Sequence, residues 1–161
     1  MIDADTLAQA EVLLAACRAA GLRVATAESC TGGLIAATLT AIAGSSDVVD
    51  RGFVTYSNEA KTEMLGVPAE LIARVGAVSE PVAKTMAEGA LARSPAGVAV
   101  SVTGIAGPGG GSADKPVGLV WFGLARRGAA TTTHSDVFPG DRAEVRAATV
   151  RRALGLLLSV R

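Results

Sequence analysis

Ser29 and Cys30 stand side by side in Ala27-Glu28-Ser29-Cys30-Thr31-Gly32-Gly33, two nucleophile types directly ahead of two glycines. A hydroxyl or thiol at such a place can attack a carbonyl, and N–H groups at the start of the following helix can hold a phosphate or a developing oxyanion. From the residues alone three uses stay open: a catalytic turn, a phosphate cradle, or a tight connection between a strand and a helix. The stretch is neither a P-loop, since no Gly-Lys-Ser/Thr follows, nor a G-x-S-x-G elbow.

A serine needs a base to act as a nucleophile, and the chain offers His134 and Lys61. Lys61 closes the stretch Tyr56-Ser57-Asn58-Glu59-Ala60-Lys61. With Asn58 as a helix cap, it falls in the first turn. There the helix dipole and any burial disfavour the ammonium and lower its pKa from about 10.4 towards the range of a general base. The chain uses three lysines against twelve arginines, so basic surface is normally made with arginine. Tyr56, a polar aromatic at the end of the preceding strand, adds to this site. His134 falls within a strand of alternating polar residues, far from a strand end. The sequence therefore favours a Ser29–Lys61 pair, and Cys30, without a histidine partner, is the weaker nucleophile. Arg142, in Pro139-Gly140-Asp141-Arg142, opens the last helix, where a guanidinium beside free N–H groups can grip a phosphate. The plain alternatives are a solvated lysine and an exposed arginine.

The elements that position these residues alternate. A helix over residues 5–20 carries Leu7, Ala10, Leu14 and Cys17 on one face, with Asp3 or Asp5 as its cap and Gly21 as its stop, which makes Cys17 a core residue. Strands are expected at 22–29, 51–57, 97–104, 117–125 and 131–138. Further helices are expected at 31–44, 58–65, from Pro68, from Ser79 and from Asp141. Asp141 and Glu144 have the spacing of a capping box. Residues 105–116 are glycine-rich and form a loop. Alternating strands and helices predict a single α/β domain over 1–161, a three-layer α/β/α sandwich with a mixed central sheet. Ligands gather at the carboxyl ends of parallel strands, and three of the informative stretches lie at such ends. That convergence requires those three strands to be parallel.

Composition narrows the function. Fifteen basic and fifteen acidic residues cancel with no block of one sign, which argues against a nucleic-acid partner. No apolar run is long enough to span a bilayer, and the acidic start is unlike a signal peptide, so the expected location is the cytoplasm. Two cysteines without metal-ligand spacing and one histidine argue against a metal site and a structural disulfide.

The stretches "TAESCTGG", "GSSDVVDRGFVTYSNEAKTEMLGV", "GAVSEPVAKTMAEGAL", "SVTGIAGPGGGSADKPVGLVWFGLA" and "FPGDR" resemble, in order and over residues 7–158, the C-terminal domain of the CinA family. The resemblance implies that domain's fold and, from its stand-alone members, an amidase that converts nicotinamide mononucleotide to nicotinate mononucleotide and ammonia in pyridine nucleotide salvage, with no metal or cofactor. It places the nucleophile on Ser29 and the assisting groups on Tyr56 and Lys61. Thr103, Gly104 and Arg142 then fall at substrate contacts, and we group Glu28, Thr31, Gly32, Gly33 and Asn58 with them. The partner is a small nucleotide, and a homo-oligomer is compatible with the sequence. A non-catalytic nucleotide-binding module is the competing reading. It gives no reason for Tyr56 and Lys61 to occur together.

Overall fold

The computed structural model describes residues 1–160. Its elements run α1 (Ala4–Ala19), β1 (Val24–Glu28), α2 (Leu34–Thr40), β2 (Val49–Val54), α3 (Asn58–Leu65), α4 (Ala69–Val75), α5 (Glu80–Ala92), β3 (Val98–Gly104), β4 (Leu119–Arg126), β5 (Thr132–Val137) and α6 (Arg142–Leu158). The five strands form one mixed sheet in the order β2-β1-β3-β4-β5. β1 pairs parallel with both β2 and β3, and β4 and β5 close the other edge antiparallel. The required parallel set is present, and Glu28, Val54 and Val102 lie in register at its carboxyl end.

Side-chain alternation sorts the two faces. Val24, Val98, Val100 and Val102 face a core shared with Leu13, Leu14, Leu154 and Leu157 of α1 and α6. Ala25, Ala27 and Ala99 face a second core with Val82, Met86 and Ala90 of α5. Small residues on that second face let α5 approach closely. The Ser101 hydroxyl donates to the Ala83 carbonyl at 2.5 Å and accepts from the Gly123 N–H at 3.1 Å. A Cβ on Gly123 would lie 2.4 Å from that same carbonyl oxygen, so a larger residue there would push the helix off the sheet.

Local signals set most boundaries. Asp3 caps α1 by accepting from the Thr6 N–H, and the Asp141–Glu144 capping box opens α6 as its spacing predicts. Two expectations are corrected. The α2 helix ends at Thr40 rather than at Gly44, and Ser57 rather than Asn58 caps α3, its hydroxyl accepting from the Ala60 N–H at 3.0 Å. Serine and asparagine are comparable caps, so adjacent candidates could not be ranked from sequence. Among the described residues no helix is long and apolar enough to cross a membrane.

Candidate active site

Ser29 follows β1 directly, and its N–H donates to the Val102 carbonyl at 3.1 Å, extending the pairing with β3 by one residue. The alternation of β1 turns its side chain to the side of Ala25 and Ala27, where α3 lies. Lys61 stands on α3 and is 1% exposed, a wholly buried amine. Its Nζ lies 2.9 Å from Ser29 Oγ and 2.9 Å from the Thr55 carbonyl oxygen, with the Tyr56 carbonyl at 3.3 Å. A helical side chain leans back towards its helix's start, which brings the amine to the carbonyls just before α3. Burial pushes the Lys61 pKa below the ordinary lysine value. Its Nζ donates to Ser29 Oγ and to these carbonyls, with the Ser57 carbonyl a further acceptor at 3.5 Å.

Cys30 adjoins this pair but is held as a thiol. Burial raises its pKa to about 11, far above the range of an activated cysteine. Of the two side chains, Ser29 is the one in contact with the Lys61 amine.

A cavity of about 260 Å³ opens over the pair, lined by Ser29, Cys30, Tyr56, Lys61, Thr103 and Arg142, with Asn58 and Gly104 at its walls. Thr103 donates its hydroxyl hydrogen to the Ala77 carbonyl at 2.9 Å, fixing the cavity wall to the segment before α5. At the outer end Arg142 donates to the Gly107 carbonyl at 2.8 Å and to the Tyr56 hydroxyl at 3.1 Å. Tyr56 is thus on the rim, two residues past β2 rather than at its end. Ser29 and Lys61 touch directly, with the Tyr56 hydroxyl turned to Arg142 instead.

The glycine turn does something other than expected. Glu28, grouped above with substrate contacts, is 1% exposed and spends its carboxylate inside the protein. It accepts from the Thr31 hydroxyl at 2.6 Å and from the Ile35 and Ala36 N–H groups at 2.9 and 3.0 Å. The N–H groups expected to be free at the start of α2 are therefore capped from the preceding strand, and this helix start is no phosphate cradle. Thr31 is fully buried, and neither it nor Gly32 nor Gly33 lines the cavity. Gly33 has φ 104° and Gly32 φ 59°, left-handed conformations that a side chain would strain. The turn is tight because β1 and α2 must be joined in so few residues.

Arg146 was not singled out by sequence. Its guanidinium donates to the Cys30 and Thr31 carbonyls, each at 3.1 Å. Its only sequence signal is the four-residue spacing from Arg142, which puts both on one side of α6. His134 lies in β5 opposite Phe122, away from the cavity. Among the described residues no group of three His, Cys, Asp or Glu could hold a metal ion.

The three layers and the mixed sheet make this an α/β protein with a buried serine–lysine pair at the carboxyl end of its parallel strands. The family model of the CinA C-terminal domain matches residues 6–160, and the chain belongs to that family. It is 51% identical to the nicotinamide-nucleotide amidohydrolase PncC of Escherichia coli K12 over 98% of this chain and 95% of that protein. It is 58% identical to a CinA-like protein of Akkermansia muciniphila, covering 87% of this chain and 34% of that one, so it spans about a third of such longer relatives. The crystal structure of a competence/damage inducible protein from Agrobacterium tumefaciens superposes with a TM-score of 0.96 at 53% identity, covering 99% of this chain and 97% of that one.

Proposed function

We propose that this protein hydrolyses the carboxamide of nicotinamide mononucleotide to nicotinate mononucleotide and ammonia, serving pyridine nucleotide salvage. The observation that carries the reading is the 2.9 Å contact between Ser29 Oγ and the buried Lys61 amine inside a cavity with Arg142 at its mouth. The near full-length likeness to the amidohydrolase of Escherichia coli supports the substrate.

Neutral Lys61 takes the Ser29 proton as Oγ attacks the amide carbon, and the charge passes to the carbonyl oxygen. As that intermediate collapses, the C–N bond breaks and Lys61 returns the proton to the departing nitrogen, releasing ammonia. Water, deprotonated by Lys61, then cleaves the acyl-serine and regenerates both groups. The substrate helps its own reaction. Its pyridinium cation beside Lys61 disfavours a second positive charge there. Its phosphate fits the outer end, where Arg142 supplies binding energy remote from the reacting carbon. Thr103, Gly104 and Asn58 shape the space between. Release of ammonia from the mononucleotide by purified protein, and its loss in Ser29→Ala, test the reading. Nucleotide binding without release would favour the non-catalytic module.

A further inference from the structure

Between α4 and α5 three successive backbone carbonyls are each taken by a side chain. The Val75 carbonyl accepts from Lys115 Nζ at 2.6 Å, the Gly76 carbonyl from the Ser79 hydroxyl at 2.8 Å, and the Ala77 carbonyl from the Thr103 hydroxyl at 2.9 Å. This connection is a wall of the cavity, through Ala77 and Val78. Ser79 belongs to the connection itself, whereas Thr103 stands just before the glycine-rich loop of residues 105–116 and Lys115 at its far end. Lys115 reaches across 40 residues of sequence. A turn presents it: the Ser112 N–H donates to the Lys115 carbonyl at 2.7 Å, and the Lys115 N–H donates to the Ser112 hydroxyl at 3.1 Å. On the other side Gly76 makes room for the amine. Its φ is 83°, and a Cβ there would lie 2.8 Å from Lys115 Nζ.

The inner tie, Thr103, is itself a cavity residue. The outer tie is not: Lys115 lies outside the lining and acts only through the segment it holds. We propose that Lys115 is a positioning residue for substrate binding: it latches the segment carrying Ala77 and Val78 to the glycine-rich loop, so that the cavity wall is set before the nucleotide arrives. A wall ordered in advance spares the ligand the loss of freedom that ordering it on binding would cost. The competing role is a helix cap and nothing more, since Val75 ends α4 and a cation there satisfies an orphan carbonyl and suits the dipole. A cap changes stability and leaves affinity alone. For its substrate the inference rests on the amidohydrolase reading above.

The test compares the whole wild-type protein with Lys115→Met, a side chain of similar length without the charge, in two measurements. The first is hydrogen exchange without ligand, read by mass spectrometry in peptides covering residues 75–79, where the Gly76 N–H donates to the Ile72 carbonyl at 2.8 Å. Exchange there should be about tenfold faster in the variant. The second is ammonia release from nicotinamide mononucleotide. KM should rise about three- to tenfold, with kcat within about twofold of wild type and the acid limb of the pH profile unmoved. Unchanged exchange would show that there is no latch. Faster exchange with an unchanged KM would leave Lys115 a helix cap, and a large fall in kcat or a moved limb would put its effect on the chemistry; each overturns the inference. If the wild type releases no ammonia, the substrate reading fails by itself, and Kd for the mononucleotide from calorimetry takes the place of KM. A wild type that does not bind it, or a Kd equal in the two proteins, would then overturn the positioning role.

Discussion

Two cations sit near the starts of two helices, Lys61 on α3 and Arg142 on α6, and they have opposite characters. Both oppose the helix dipole, an unfavourable effect of roughly 0.3–1 kcal/mol in a first turn. Lys61, with Ser57 as the cap, stands at the fourth helical position and is fully buried among backbone carbonyls. Arg142, the first residue of α6, is exposed and reaches over the cavity mouth to Tyr56 and Gly107. Burial lowers the lysine pKa, while a guanidinium cannot be deprotonated in either setting. The cavity therefore has an inner end that can move a proton and an outer end that stays positive. Burial, visible only in the fold, is the main cause of the lowered lysine pKa.

The strongest way to break this comparison is to give the inner end the character of the outer one. Lys61→Arg should lower kcat/KM by about 10³-fold or more, within the range of general-base contributions. In wild type, activity should fall as pH drops through the lowered Lys61 pKa, and the arginine variant should show no such limb. An active Lys61→Arg would end the base assignment. Ser29→Ala should cost a similar factor, and the double variant little more than either alone, because the two residues act as one unit.

At the outer end, Arg142→Ala should raise KM for the mononucleotide by about 10- to 100-fold with kcat largely kept, as for a charge-assisted contact of about 1.5–3 kcal/mol. Any activity on free nicotinamide should be untouched. Equal losses on both substrates would show that Arg142 does not read the phosphate. Behind the site, Glu28→Ala strands the Ile35 and Ala36 N–H groups and should destabilise the protein by about 1–3 kcal/mol in denaturant unfolding. An unchanged midpoint would mean that water replaces the carboxylate. The smallest effect is expected at Cys30→Ala, with turnover within about threefold of wild type, since the thiol is protonated and makes no bond to Ser29 or Lys61.

Burial of Lys61 also has a stability signature. Its folded pKa lies below the unfolded value of 10.5, so the unfolded chain binds more protons between the two. Stability should rise with pH through that window and be lost as pH falls through the folded pKa. Lys61→Met should lack that slope in thermal unfolding.

Ser29, Lys61 and Arg142 were readable because each is a chemically distinctive type at the end of a strand or the start of a helix. The central strand was readable from its nearly unbroken apolar run over 97–104, and α6 from its capping box. Glu28 and Arg146 were not. A carboxylate at the end of a buried strand looks like a ligand contact until its acceptors are seen to be spent on the following helix. The partners of Arg146 lie 116 and 115 residues away in sequence, a separation across which no local pattern reaches. The shortness of α2 escaped for another reason. Its residues through Ala43 are as apolar and helix-compatible as those before, so no local signal marks Thr40 as the end, and the chain goes on through Gly44 at φ 82° into a 3₁₀ turn at Ser45–Asp47.

Those separations also govern when a working site comes into being. Ser29 and Lys61 meet across 32 residues, whereas the Arg142–Tyr56 and Arg146–Cys30 contacts span 86 and 116. A growing chain therefore has Ser29 and Lys61 synthesised long before the helix that brings Arg142 to the cavity mouth and Arg146 to the turn.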